Sequence, residues 1–299
     1  MHETPLPRLS RRRFLARSLL AGLGVAVLPA VGALTACSPD QPEPDDRMLE
    51  ILGALRALGA ASAAGSSAAP GSFFTAQADR VAGEVVRQCG TDPSDSCTAS
   101  VDTVEIPTGA PTVAAVRDLV TGLLPGAADR DQASLLAGLF AALATVDDRA
   151  AGGAAVDWAV VDAPLSGRAP DELADATARI HEAVWLTGRI LPTVGSSASV
   201  VGTVGTRLRR VRDGALSATG IPSAAGYTFP TGAPAGDDAL QLLLDAVHAV
   251  TVDLRRAVRA VDRDDRETVT MWCAVAARCE AALEDALGED PLTVAVRGE

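Results

Sequence analysis

Four helix-length segments in the C-terminal half constrain the fold of this chain more than any other feature. They run from Pro170 to about Leu191, from Ser196 to Thr219, from Asp237 to Val261 and from Asp264 to Leu287. Each begins at a residue type common at helix N-termini and carries apolar residues at helical spacing. The last pair is joined by a tight turn, whereas a proline-containing link over 220–236 joins the middle pair. Two short connections and one long one predict a four-helix bundle.

The region before the bundle is also predicted to be helical. Apolar residues recur at helical spacing in three further segments and in a short helix that opens at Thr112. The three segments run from Met48 to Leu58, from Phe73 to Gln88 and from Asp129 to Val146. Alanine and leucine dominate, and the alternation typical of strands is scarce. We therefore predict an all-α chain, in which a helical region over 47–165 precedes the four-helix bundle over 170–288.

Residues 10–37 predict export and lipid anchoring. The sequence SRRRFL at residues 10–15 matches the twin-arginine export signal through Arg11 and Arg12, and an apolar run over 19–34 follows it. The tetrapeptide LTAC, which ends at Cys37, resembles the lipobox of bacterial lipoproteins. The resemblance implies cleavage before Cys37 and diacylation of its sulfur. An uncleaved anchor is disfavoured, because the run of about 16 residues is shorter than the ~20 that a spanning helix needs.

This signal predicts where the protein works. We expect residues 1–37 to be a twin-arginine lipoprotein signal peptide, and the acidic, proline-rich residues 38–46 to be a flexible tether. After passage through the twin-arginine translocase, the lipid anchor would hold the protein on the outer face of the cytoplasmic membrane. Because this translocase exports folded proteins, a cofactor loaded in the cytoplasm is compatible with the signal but is not required by it.

Charge and composition exclude several classes of function. Residues 1–37 hold five of the 26 basic residues and one of the 38 acidic ones, so the remaining 262 residues carry 21 and 37, a net charge of −16. Such an acidic surface argues against nucleic-acid binding, which needs clustered cations. The chain has no lysine and no asparagine, a usage typical of a GC-rich genome such as that of an actinobacterium. The missing lysine excludes Walker A, Schiff-base and Ser-x-x-Lys mechanisms. No Gly-x-Ser-x-Gly, His-Glu-x-x-His or Cys-x-x-Cys motif occurs either, which favours a non-catalytic role.

Four cysteines follow Cys37: Cys89, Cys97, Cys273 and Cys279. An even number of cysteines in an exported protein predicts disulfides. Cys273 and Cys279 lie on one predicted helix, about 9 Å apart along its axis, whereas a disulfide needs Cα atoms within ~7 Å. We therefore favour cross-links between the Cys89 to Cys97 segment and the last helix. The alternative is one local bridge between Cys89 and Cys97 with two free thiols.

The first bundle helix carries a resemblance to a known family. Residues 178–188, with the sequence ARIHEAVWLTG, resemble the opening helix of a ferritin-like domain of unknown function found in actinobacterial twin-arginine lipoproteins. In that family the helix carries Glu-His followed by two tyrosines and a glycine, of which His181 and Gly188 match. Three residues stand where the glutamate and the tyrosines are expected: Ile180, Trp185 and Thr187. The likeness continues through residues 208–213, the loop over 227–230 and the alanine-rich last helix. It implies a ferritin-like bundle.

The resemblance makes a metal site worth testing against the residues. Ferritin-like proteins can hold a di-iron centre, using Glu from two helices and Glu-x-x-His from the other two. The candidates here are His181 and Glu182 on the first bundle helix and Asp245 and His248 on the third. At 100° per residue, His248 lies about 90° and Asp245 about 150° from the centre of the apolar stripe of the third helix. The positions that face the interior are apolar, so no cofactor is predicted, and iron or another metal on these four residues is the alternative.

These observations lead to three hypotheses about function. The favoured one is a lipid-anchored, non-catalytic binding or structural module of the cell envelope, with an envelope protein as its partner. The first alternative is a metal-binding protein or di-iron-type oxidoreductase of the ferritin-like class. The second is a carrier that holds a small apolar ligand between imperfectly packed helices.

Overall fold

The computed structural model of the chain describes residues 43–65, 69–90, 93, 95–109, 111–151, 156–224, 226–229, 232 and 234–299. The predicted signal peptide, with Arg11, Arg12 and Cys37, lies outside the described residues, as does the first part of the predicted tether. Within the described ranges, no helix has the length and apolar character needed to span a membrane.

Ten α-helices account for most of the described chain. They are α1 Asp46–Ala63, α2 Gly71–Gln88, α3 Asp95–Asp102, α4 Val113–Leu123, α5 Arg130–Ala151, α6 Trp158–Val161, α7 Asp171–Ile190, α8 Ala198–Thr219, α9 Gly236–Ala260 and α10 Arg266–Leu287. The described part of the chain contains no strand, which confirms the all-α prediction. The short helix α3 was not predicted, because so few residues show no clear period.

Local sequence signals set several helix ends. The Oγ1 of Thr112 accepts a hydrogen bond from the backbone N–H of Ala115, and this N-cap begins α4. Gly220 and Gly288, at φ of +67° and +80°, end α8 and α10 in the left-handed conformation that glycine adopts without strain. The link after α8 and the C-terminal segment after α10 therefore each begin at a defined glycine.

The last four helices form the predicted bundle. Helix α7 packs against both α8 and α9, and α10 packs against the same two helices, which closes a ring of four. The predicted apolar stripe of the third bundle helix faces this interior. Its members are all buried: Leu240, Leu244, Val247, Thr251, Leu254 and Val258.

Helix α10 lies at the centre of the described helices. Every residue from 268 to 280 on this helix is buried, because α5 packs on the side that the bundle leaves open. Helix α4 packs against α5 and α1, and α1 pairs with α2. Residues 41–299 accordingly form one compact unit, and the helices before the bundle share its core.

The structure contradicts the favoured disulfide cross-links. Helix α3 packs against α2, so that Cys97 forms a disulfide with Cys89, their Cα atoms being 6.5 Å apart. Cys273 and Cys279 are buried in α10, and neither forms a disulfide with a described residue. The Sγ of Cys273 lies 3.6 Å from the carbonyl oxygen of Thr251 in α9. The bundle thus encloses the two α10 cysteines, and the alternative of one local bridge is the correct one.

The segment after α10 folds back onto the helices. The N–H of Arg297 donates to the carbonyl of Gly138 in α5 (3.2 Å), and the Nε2 of Gln77 in α2 donates to the carbonyl of Ala295 (3.0 Å). Glu299 forms an ion pair with Arg80 of α2 at 2.7 Å. The C-terminal residues therefore join α2 and α5 to the bundle.

Candidate ligand-binding site

The four residues proposed as metal ligands do not converge. His181 is buried on α7, and its Nε2 donates to the carbonyl oxygen of Ile221 at 3.0 Å. Asp245 is exposed on α9, as the helical spacing predicts, and accepts a hydrogen bond from Gln241 at 3.0 Å. Among the described residues, no group of three or more His, Cys, Asp or Glu side chains is placed to hold a metal ion. His181 and the other described histidine, His248, each have a structural partner.

The partner of His248 is Glu280 of α10. The Nδ1 of His248 lies 3.2 Å from the Oε1 of Glu280. This hydrogen bond raises the pKa of His248 above its ordinary value, although partial burial opposes the shift. Burial would raise the pKa of Glu280, but the hydrogen bond from His248 and the charge of Arg297 hold it below its ordinary value. The pair is therefore a salt bridge at mildly acidic pH.

Arg297 completes a buried charge cluster around Glu280. The guanidinium is fully buried and donates to Glu280 (2.9 Å), to both carboxylate oxygens of Glu284 (2.9 and 2.8 Å) and to the carbonyl of Pro291 (2.5 Å). Burial would lower the pKa of Arg297, but its carboxylate partners raise it. The cluster joins the C-terminal segment to α10 and α9, and we assign it to stability.

An open groove follows one face of α7. Two adjoining pockets share Arg179, Glu182 and Tyr227 in their walls, and we call them together the aromatic groove. Its sides are formed by helix α7, helix α9 and the link between α8 and α9, from which residues 222, 224 and 227–229 line the groove. The aromatic compartment has a volume of about 370 Å³ and the charged compartment about 610 Å³. Both volumes lie within the range of small-molecule sites, ~300–1,000 Å³.

Three aromatic rings meet in the aromatic compartment. The ring centroid of Trp185 lies 5.4 Å from that of Tyr227 and 5.2 Å from that of Phe229, with the ring planes tilted by 40° and 43°. Such separations are favourable for aromatic pairs. The chain has three Trp, one Tyr and five Phe, so a third of its aromatic residues, including the sole tyrosine, gather here. All three remain partly exposed.

Helical spacing and a fixed link position these side chains. On α7, Arg179, Glu182 and Leu186 recur at one-turn intervals and therefore share a face. On α9 the facing wall consists of Leu242, Asp245, Ala246 and Ala249, whose short alanines leave room for the rings.

Hydrogen bonds hold both ends of the link to the α7 region. At its start, His181 donates to the carbonyl of Ile221. At its end, the Oγ1 of Thr193 donates to the carbonyl of Pro234 at 3.2 Å. The link is thus anchored on either side of Tyr227 and Phe229. His181, a candidate ligand in the sequence, is instead a residue that positions the groove wall.

The charges of the groove are unequally partnered. Arg179 lies 3.4 Å from Glu182 and 3.8 Å from Asp253, and Arg256 lies 3.0 Å from Asp253. Both guanidinium groups are therefore held by carboxylates. Asp245 forms no ion pair with a described residue and accepts only the hydrogen bond from Gln241. Its carboxylate remains available at the wall of the aromatic compartment.

Comparisons of the chain with protein-family models, curated proteins and solved structures find no match. The assignment of the site therefore rests on its geometry, and the resemblance to ferritin-like lipoproteins stays a prediction. The sequence pattern indicated Trp185 and Asp245 only as separate residues and did not predict the groove. The available signal was the concentration of the only tyrosine and Phe229 in one link between two helices.

Proposed function

We propose that this protein is a lipid-anchored, extracytoplasmic and non-catalytic binding module of the cell envelope, and that the aromatic groove is its binding site. Export by the twin-arginine route, lipidation at Cys37 and the ferritin-like assignment are parts of this proposal that rest on sequence motifs. The convergence of Trp185, Tyr227 and Phe229 in a surface pocket carries the binding assignment.

The composition of the groove supports binding. An aromatic wall with a few polar groups at its edge is the usual make-up of a small-molecule site. The exposed Leu242 adds apolar surface to the same compartment. Partly exposed rings in a chain with so few aromatic residues are costly to leave in water, and a bound apolar group would cover them.

The alternatives have less support. A metal-dependent function needs ligands that face one another, whereas His248 pairs with Glu280 and His181 with Ile221. A carrier with an interior cavity needs space inside the bundle, whereas α10 and the stripe of α9 are buried against their neighbours. The groove lies on the outer side of α7 and α9 and needs neither arrangement.

The neutral fluorophore N-phenyl-1-naphthylamine tests the proposal. The full chain carrying Cys37→Ser, which removes the lipidation site, is titrated while dye fluorescence is followed. We expect one site with a Kd on the order of 10 µM, as suits a ligand of this size in an apolar pocket. Trp185→Ala and Phe229→Ala should each weaken binding at least several-fold, because each removes part of the aromatic wall.

Ile106→Ala is the matched control. Ile106 is 54% exposed and lies outside the groove, so its loss should leave dye binding unchanged. Thermal melting of each variant checks that it is folded. Dye binding that is absent, or that Trp185→Ala and Phe229→Ala leave intact in folded protein, would overturn the assignment of the groove.

A further inference from the structure

We propose that the aromatic groove selects an organic cation: an alkylated ammonium group attached to a small apolar body. This inference rests on the proposed function, because it names the ligand class of the same site. It is carried by the juxtaposition, in one compartment, of three aromatic rings with the carboxylate of Asp245, which forms no ion pair with a described residue.

Acidic residues outnumber basic ones along the groove. Four carboxylates line its two compartments: Asp175, Glu182, Asp245 and Asp253. Only two guanidinium groups, Arg179 and Arg256, face them. Because water-exposed pockets lined by one sign of charge concentrate ligands of the opposite sign, the groove attracts cations and repels anions.

The ion pairs leave one carboxylate in each compartment without a basic partner among the described residues. Asp253 contacts both arginines, and Glu182 contacts Arg179. In the charged compartment the remaining carboxylate is that of Asp175. In the aromatic compartment it is that of Asp245, which among the described residues accepts a hydrogen bond only from the amide of Gln241. Part of the excess negative charge therefore lies in the same compartment as Trp185, Tyr227 and Phe229.

Aromatic rings add an attraction of their own for cations. The negative face of a ring attracts ammonium groups, most strongly for tryptophan, and alkylated ammonium is poorly hydrated compared with a simple ammonium ion. An alkylated ammonium could thus place its charge near Asp245 and its alkyl groups against the rings. A neutral apolar ligand would use the rings alone, and an anion would be opposed by the carboxylates.

A pair of ligands that differ in charge but hardly in shape tests the inference. Phenyltrimethylammonium and tert-butylbenzene have the same size and outline. Because the chain has one tyrosine, labelling with tyrosine ¹³C-enriched only at its ε carbons gives the signal of Tyr227 in the groove alone. We expect the cation to shift this signal with a Kd about tenfold lower than that of tert-butylbenzene, as ring and carboxylate contacts predict.

Two variants assign the preference to its source. Asp245→Asn should reduce the cation preference severalfold without altering the affinity for tert-butylbenzene. Glu172→Gln removes the same charge from an exposed site on α7 outside the groove, and should leave the preference unchanged. If both variants reduced the preference equally, the preference would arise from the net charge of the protein alone. This result would overturn the role of Asp245.

The outcomes separate this inference from the proposed function. Equal binding of both ligands would overturn the cation inference and leave the groove as a binding site. Failure of both ligands to move the Tyr227 signal, together with failure of the naphthylamine titration, would overturn both. A cation preference that Asp245→Asn abolishes supports both.

Discussion

Replacing Arg297 with methionine should destabilise the protein far more than the loss of an ordinary surface arginine. The Arg297 side chain is 0% exposed, and its partners Glu280 and Glu284 are 4% and 12% exposed. Methionine fills similar space but donates no hydrogen bond. Among the described residues, Glu280 would keep only His248 as a charged partner, and Glu284 would lose both of its hydrogen bonds from Arg297.

The size of the effect follows from the burial of these carboxylates. Removing one partner of a buried ion pair costs about 3–5 kcal/mol, because the remaining charge is left without compensation. We expect a loss near the middle of this range in the free energy of unfolding at pH 7. At about 2–4 °C per kcal/mol for a chain of this size, the melting temperature should fall by about 8–16 °C.

The loss of stability caused by Arg297→Met should depend on pH in a defined direction. In the wild type the pKa of Glu280 is held below its ordinary value, so its contribution to stability is present above the unfolded pKa of ~4.3 and is lost as pH falls through the folded value. Without Arg297, burial raises the pKa of Glu280 with less opposition, and the carboxyl groups can take up protons. The difference in stability between the variant and the wild type should therefore be largest at pH 7 and shrink below about pH 5.

Urea denaturation followed by circular dichroism at pH 7 and pH 4 measures this difference. Arg259→Met is the matched control: Arg259 pairs with Asp131 at 2.5 Å, but the two side chains are 45% and 60% exposed. An exposed pair contributes at most about 1 kcal/mol. Equal losses for Arg297→Met and Arg259→Met, or a loss for Arg297→Met that grows toward acid pH, would refute the reasoning.

Two further predictions concern packing and thiols. Gly138→Ala should lower the free energy of unfolding, measured by urea denaturation, by about 1–2 kcal/mol, because the new Cβ would lie 2.9 Å from the carbonyl oxygen of Arg297. Gly83 faces open space, so Gly83→Ala should raise the free energy of unfolding by up to about 1 kcal/mol, and equal effects of the two variants would contradict the contact at Gly138. Without reductant, the chain carrying Cys37→Ser should show no thiol reactive toward Ellman's reagent when native and two reactive thiols when unfolded. The reason is that both α10 thiols are buried, and burial raises the pKa of Cys273 to about 12. If no thiol reacted after unfolding, the result would indicate the cross-links that the structure contradicts.

The fold was largely predictable because helical periodicity is a local signal. The third bundle helix was predicted from Asp237 to Val261 and runs from Gly236 to Ala260, since its apolar stripe recurs without interruption. The disulfide prediction failed for a non-local reason. Helical geometry correctly separated the two α10 cysteines, but no sequence pattern shows that α3 turns back onto α2 and brings Cys97 to Cys89.

The groove was less predictable because its parts come from distant segments. The wheel correctly placed Asp245 toward solvent, but solvent exposure alone does not indicate a site. Its neighbours Trp185 and Tyr227 lie 42 residues apart in the chain and meet only because the link is anchored across α7. The pairing of His248 with Glu280 likewise depends on how α9 packs against α10.

The groove lies at the surface because the interior of the bundle is filled by packed side chains. Helix α10 is surrounded by α5, α8 and α9, and its core is filled by side chains as large as Trp272. A ligand inside the bundle would have to displace this packing, which costs several kcal/mol per large side chain. The seam between α7 and α9 carries no such cost, because a link with anchored ends covers it only in part. Binding at Tyr227 and Phe229 can therefore change without loss of the core that stabilises the fold.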